Sequence, residues 1–77
     1  MAKIKLTIVG LRQTKHIQSE DVVNVEKLWQ IMRRVELRYP RDYYTFSIFL
    51  NGVRESDESK SLCDGDEVVL VPIFSGG

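Results

Sequence analysis

Ile4, Leu6 and Ile8 alternate with Lys3, Lys5 and Thr7 near the start of the chain, the period-two pattern of a strand with one buried and one wet face. Gly10 follows, and residues 13–18 read as a second, more polar strand returning beside the first. Asn24 offers a helix N-cap, because its side-chain oxygen can accept an unpaired backbone N–H, and Glu26 places negative charge in the first turn. Val25, Leu28, Trp29, Met32, Val35 and Tyr39 then recur at spacings of three and four, which predicts a helix with one apolar stripe. Arg33, Arg34 and Arg38 mostly avoid that stripe and sit near the helix C-terminus, where the macrodipole favours positive charge. Pro40 disfavours helical geometry before it, so the helix is expected to end around Arg38 or Tyr39.

Residues 44–50 are dense in aromatic and β-branched side chains, and Asn51-Gly52 behind them favours a tight hairpin into a short strand at Val53 and Arg54. Residues 55–60 form a charged connector, Leu62 anchors the chain, and Asp64-Gly65-Asp66 supplies another turn. A last strand runs over residues 67–71. Pro72 lacks a backbone donor and fits the end of that strand or an edge, leaving residues 73–77 as a flexible functional tail. Strand, strand, helix, strand, short strand, strand, with a helix long enough to cross one face of a mixed sheet, is an α+β order that suits a β-grasp of about five strands.

At 77 residues the chain has apolar surface for one core, so residues 1–77 are read as a single domain. Eleven basic residues balance eleven acidic ones, which removes any summed field toward nucleic acid or an anionic membrane. The alternating start is unlike a secretory signal, and no apolar run approaches the roughly 20 residues that span a bilayer, so a cytoplasmic protein is expected. The single Cys63 excludes an internal disulfide.

The run Leu50-Asn51-Gly52, then Leu62, then Asp64-Gly65-Asp66-Glu67-Val68, then Pro72-Ile73-Phe74-Ser75-Gly76-Gly77, resembles the MoaD/ThiS family of ubiquitin-like sulfur carriers. The proline before a hydrophobic pair and Ser-Gly-Gly is closer to the small subunit of molybdopterin synthase than to the thiamine carrier. The resemblance implies that a partner enzyme of the ubiquitin-activating type uses ATP to adenylate the Gly77 carboxylate. A sulfur donor then converts it to a thiocarboxylate, which gives its sulfur to a pterin precursor bound by the synthase large subunit. The carrier would not be catalytic alone and would hold no cofactor of its own. A thiamine-pathway carrier and a ubiquitin-like modifier joined to target lysines are the alternatives, and an interaction domain with no terminal chemistry is a third.

The residues themselves are compatible with such chemistry. Glycine has no Cβ, so an extended Gly76-Gly77 segment can enter a narrow channel, and a free α-carboxyl at Gly77 is anionic at neutral pH. Residues 44–50 contain more large apolar groups than one strand face can bury. Phe46 and Phe49 are therefore expected, with Pro72, Ile73, Phe74 and Ser75, to form a partner-binding surface. Elsewhere the ordinary explanation suffices. Cys63 lacks neighbouring positive charge to activate a thiolate, and His16 has no second ligand at metal spacing. Glu55, Asp57 and Glu58 read as a solvated connector, and no Gly-rich phosphate loop occurs. Arg33, Arg34, Arg38 and Arg41 are explained by helix-end electrostatics and solubility, without nucleic acid.

Overall fold

The computed structural model describes residues 2–10, 18–40 and 45–73. In chain order the elements are β1 (Ala2–Ile8), β2 (Gln18–Val25), α1 (Leu28–Glu36), β3 (Thr45–Leu50), β4 (Val53–Arg54) and β5 (Glu67–Ile73). They form one five-stranded sheet of order β2-β1-β5-β3-β4. β1 and β5 pair in parallel at its centre, from Lys5 opposite Glu67 to Ile8 opposite Leu70, while the remaining pairs are antiparallel. A mixed sheet with one helix on one face is the expected β-grasp.

The alternation in β1 buries Ala2, Ile4, Leu6 and Ile8 on the helix side. Val68 and Leu70 of β5, Ile48 of β3, and Val22 and Val25 of β2 face the same way, and Leu28, Ile31, Met32 and Val35 of α1 close the core with Leu62. Those helix positions follow i, i+3, i+4 and i+7, a single stripe along one side. No polar or charged residue is buried among the described residues.

The helix begins later than its sequence predicts. Asn24 is the penultimate residue of β2 and has φ 63°, and Lys27 is the N-cap. Between the pairs Ala2–Val25 and Ile4–Val22 the register shifts, with one more residue on β2 than on β1. This is a β-bulge, and asparagine is among the few non-glycine residues that take left-handed backbone at modest cost. Its consequence is that Val22 and Val25, three apart, both enter the core while Val23 is exposed. The apolar spacing of three at residues 22 and 25 thus belongs to a bulged strand. β2 itself runs from Gln18 onward, and residues 13–17, expected as strand, lie outside the described residues.

Because Val25 is not helical, the stripe is phased on Leu28, and Trp29 lies about 100° around the helix from it. Trp29 is therefore 42% exposed, whereas Ile31, outside the expected stripe, is fully buried. The helix ends at Glu36, two to three residues before the expected Arg38 or Tyr39. The chain beyond it still turns back, the N–H groups of Arg38 and Tyr39 bonding the Val35 carbonyl at 3.0 and 2.8 Å.

The charged connector has a structural task. The Lys60 carbonyl accepts from Leu28 N–H at 2.9 Å and the Glu58 carbonyl from Trp29 N–H at 2.7 Å. Two donors that a helix N-terminus leaves orphaned are thereby satisfied. The Gln30 side chain reaches back to accept from the N–H groups of Glu26 and Lys27 at 2.6 and 2.9 Å, which is half of a capping box.

Ile31→Ala is expected to cost about 2–5 kcal/mol, and Trp29→Ala under about 1 kcal/mol, the worth of an exposed cation–aromatic contact. Urea unfolding of the two variants checks the phase of the helix: equal losses would contradict it.

Candidate functional site: the open sheet face and the exit of β5

Since α1 covers one face of the sheet, side chains of the opposite parity in each strand face away from it. In β5 these are Glu67, Val69, Val71 and Ile73, and the β3 residues paired with them are Phe49 opposite Val69, Ser47 opposite Val71 and Thr45 opposite Ile73. Phe49, Val69 and Val71 are half-buried and Ile73 is 45% exposed. They form a continuous apolar strip along the middle of the sheet, on the face away from α1, the single helix among the described residues. Its charged rim includes Arg54, opposite Phe49, and Lys5, opposite Glu67.

The structure divides the two expected phenylalanines between the faces. Phe49 belongs to the open strip. Phe46 shares the parity of Ile48 and packs against the core, edge-on to Tyr39 with ring centroids 6.1 Å apart at 73°. Val69 and Val71 complete the strip beside Phe49. A strand at the centre of a sheet reads as one continuous apolar run, and the signal that separates its two faces is the strict parity set by Val68 and Leu70.

Pro72 lies near the end of β5, as expected, with Phe46 opposite it, and Ile73, expected as the first residue of the tail, is the last residue of the strand, opposite Thr45. Asn51 N–H bonds the Glu67 carbonyl at 2.8 Å and Val9 N–H bonds the Leu70 carbonyl at 2.9 Å, so odd residues of β5 turn their backbone groups to β3 and even ones to β1. The nitrogen of Pro72 consequently lies on the β1 flank, one step beyond the bond from Val9 N–H to the Leu70 carbonyl, and its missing donor ends the β1–β5 ladder there. β5 thus carries the chain, extended, to the end of the sheet beside the apolar strip. Phe74, Ser75, Gly76 and Gly77 lie outside the described residues.

The motif around Asp64-Gly65-Asp66 sits at the other end of β5, roughly 20 Å away at about 3.3 Å per residue. Gly65 has φ 90°, and Asp66 N–H bonds the Cys63 carbonyl at 3.0 Å, a tight turn whose third position requires glycine. Asp64 Oδ1 accepts from Lys3 N–H at 2.8 Å, and Gly65 N–H returns a bond to the Lys3 carbonyl at 2.9 Å. Asp66 accepts from Cys63 N–H at 2.7 Å and from the Asn51 amide at 3.0 Å, and the Asn51 side-chain oxygen accepts from Glu67 N–H at 2.9 Å. Asn51 and Gly52 both have positive φ, as the two-residue hairpin between Leu50 and Val53 demands. These residues tie the starts of β1 and β5 to the β3–β4 turn; their role is architectural.

Cys63 is exposed and unpaired by disulfide, no cluster of described residues could hold a metal ion, and His16 lies outside them. Asp57 holds the local connector turn, its carboxylate accepting from the hydroxyl and the backbone N–H of Ser59. These bonds, the hydroxyl's foremost, lower its pKa below the ordinary aspartate value.

Fold and site together define a ubiquitin-like β-grasp protein, with its helix on one face, an apolar strip on the other and a central strand leading off the sheet beside that strip. A chain of the protein–protein complex of subunits 1 and 2 of molybdopterin-converting factor from Helicobacter pylori 26695 superimposes with a TM-score of 0.70 at 18% identity, covering 97% of this chain and 99% of that one. Caldiarchaeum subterraneum ubiquitin superimposes with a TM-score of 0.61 at 20% identity, covering 99% and 98%. No family sequence model and no curated protein sequence matches the chain.

Asp66→Ala is expected to destabilise the fold by about 1–3 kcal/mol, because it leaves the Cys63 N–H and the Asn51 amide without their charged acceptor; a lowered urea midpoint checks it. The depressed Asp57 pKa means that the ionised carboxylate favours the folded state. Its contribution is complete above the pKa of an unfolded aspartate and is lost as pH falls through the lower folded value. Carbon-detected NMR titration should find Asp57 deprotonating below an aspartate in an unstructured peptide, and Ser59→Ala should bring it back toward that reference.

Proposed function

We propose that the chain is a sulfur-carrier protein whose Gly77 carboxylate is adenylated by a partner and converted to a thiocarboxylate that donates sulfur in molybdopterin formation. The observation that carries this reading is the path of β5. A rigid central strand ends at Ile73 beside an exposed apolar strip, and four residues ending in Ser-Gly-Gly follow it, enough to reach about 13–14 Å when extended. A partner gripping the strip would thereby hold a narrow peptide at a fixed distance and direction, which replaces diffusional search by positioning. The likeness to a chain of the molybdopterin-converting factor complex supports the choice of pathway.

In the reaction proposed, a Gly77 carboxylate oxygen attacks the α-phosphorus of ATP bound by an activating enzyme, and pyrophosphate leaves. A sulfur nucleophile then attacks the acyl carbon and expels AMP, leaving sulfur in place of one oxygen. The carrier contributes the acyl group and its placement. ATP and the acid–base groups belong to the partner, and the acceptor pocket to a synthase large subunit. Phe49, Ile73 and Pro72, with Phe74 and Ser75, are assigned to partner contact, and Phe46 supports the strip from behind. The likeness to an archaeal ubiquitin favours a second reading, in which the same acyl group passes to a lysine amine.

The test is intact-mass measurement after incubation with an activating enzyme, ATP and sulfide. Wild type should exchange one oxygen for sulfur. Gly76→Ala should do so more slowly with unchanged thermal stability, since an added Cβ obstructs the channel and not the fold. A form extended beyond Gly77 should not react, because its acyl carbon is an internal amide. Sulfur gain by the extended form would overturn the proposal, and transfer to lysine-bearing protein without sulfur gain would select the second reading.

A further inference from the structure

The side of α1 turned from the sheet, continued by its C-cap Leu37 and the turn at Arg38, carries two rows at i, i+4 spacing: Trp29, Arg33 and Leu37, and beside them Gln30, Arg34 and Arg38. Trp29 is 42% and Leu37 86% exposed, so neither apolar side chain serves the core. The Arg33 guanidinium carbon lies 5.9 Å from the centre of the Trp29 ring, which sets the cation beside the aromatic face. Arg34 directs its charge partly toward Glu20 on β2 at 3.6 Å, and Arg38 stands one turn further on. From Trp29 to Leu37 the row is about 12 Å long at 1.5 Å per residue.

We propose that this helix face is a second docking surface, opposite the open sheet face, and that its partner is a protein segment carrying acidic side chains beside an apolar anchor. Charge complementarity selects the occupant. Three arginines within two turns present planar donors suited to carboxylates, and tryptophan and arginine are the side chains that most often dominate protein interfaces. A nucleic acid is disfavoured, because the exposed Leu37 at the end of the row offers nothing to a base or phosphate. As the two surfaces lie on opposite sides of the molecule, a partner on the helix leaves the sheet face accessible.

Trp29 is the chain's sole tryptophan, so its fluorescence reports directly on the surface. The probe is a synthetic amphipathic peptide with Leu and Glu at i, i+4 spacing, compared with the same peptide bearing Lys for Glu and with a single-stranded RNA oligomer. The acidic peptide is expected to give a saturable emission change that weakens with salt. Arg33→Glu with Arg38→Glu, and separately Leu37→Ser, should each weaken binding at least ten-fold while circular dichroism is unchanged. Ile73→Glu on the sheet face should leave binding intact. The proposal is overturned if no saturable change occurs, if the RNA or the Lys peptide binds as well, or if Ile73→Glu abolishes binding. Sulfur gain at Gly77 is read separately, so failure here is distinguishable from failure of the sulfur-carrier reading.

Discussion

The parallel pairing of β1 with β5 is the contact on which the rest of the molecule depends. Each strand belongs to its own antiparallel unit, β1 with β2 and β5 with β3 and β4, and β1–β5 is the seam between those units. Ile4, Leu6 and Ile8 on one side of the seam and Val68 and Leu70 on the other make the centre of the surface on which α1 lies. A two-stranded hairpin has too little apolar area to persist alone in water. Joined, the strands give the helix a continuous floor, and they place the end of β5 in the middle of a sheet instead of at a loose margin.

That seam is secured where β5 begins. Lys5 N–H bonds the Asp66 carbonyl at 3.0 Å, while Asp64 and Gly65 hold Lys3 from both sides. With no polar side chain buried among the described residues, the core sets apolar volume but offers little to discriminate one strand register from another. A one-residue slip would turn Val68 and Leu70 outward and Val69 and Val71 inward, with only a modest change in hydrophobicity. The directional bonds of the Asp-Gly-Asp turn and of Asn51 oppose that slip. Of the residues that suggested a carrier family in the sequence, Asn51 and Asp64-Gly65-Asp66 therefore secure the geometry at one end of β5, and the chemistry proposed belongs to the other.

Much of this was legible in the amino-acid order wherever the signal is local. β1, β3, β4 and β5 follow from alternation, β-branched density and the Asn-Gly turn. The same local reading failed around residues 18–29. A bulge at Asn24 spaces two core valines three apart, as a helix would, and asparagine suits both an N-cap and a left-handed strand residue. A helix that includes Val25 would have its buried side rotated toward Trp29 and away from Ile31. The open strip was half legible: Phe49 stood out by size, whereas Val69 and Val71 are hidden in an apolar run whose two faces only the pairing partners distinguish. The capping of α1 by residues 58–60 depends on backbone carbonyls brought from a distance, to which no side-chain pattern corresponds.

The order of the strands also bears on how the protein comes into being. β1 is synthesised first and its parallel partner last, so the central ladder joins residues about sixty positions apart. Contacts of such long sequence separation impose their loop-closure entropy before they return any stabilisation, which makes folding slow relative to a helical domain of equal size. A nascent chain that has released β1, β2 and α1 still lacks the strand that divides the sheet, and leaves one flank of β1 unpaired and open to other chains. Completion of the domain must therefore follow the emergence of β5, and the segment after Ile73 becomes attached to a rigid body only at the moment when the whole sheet closes.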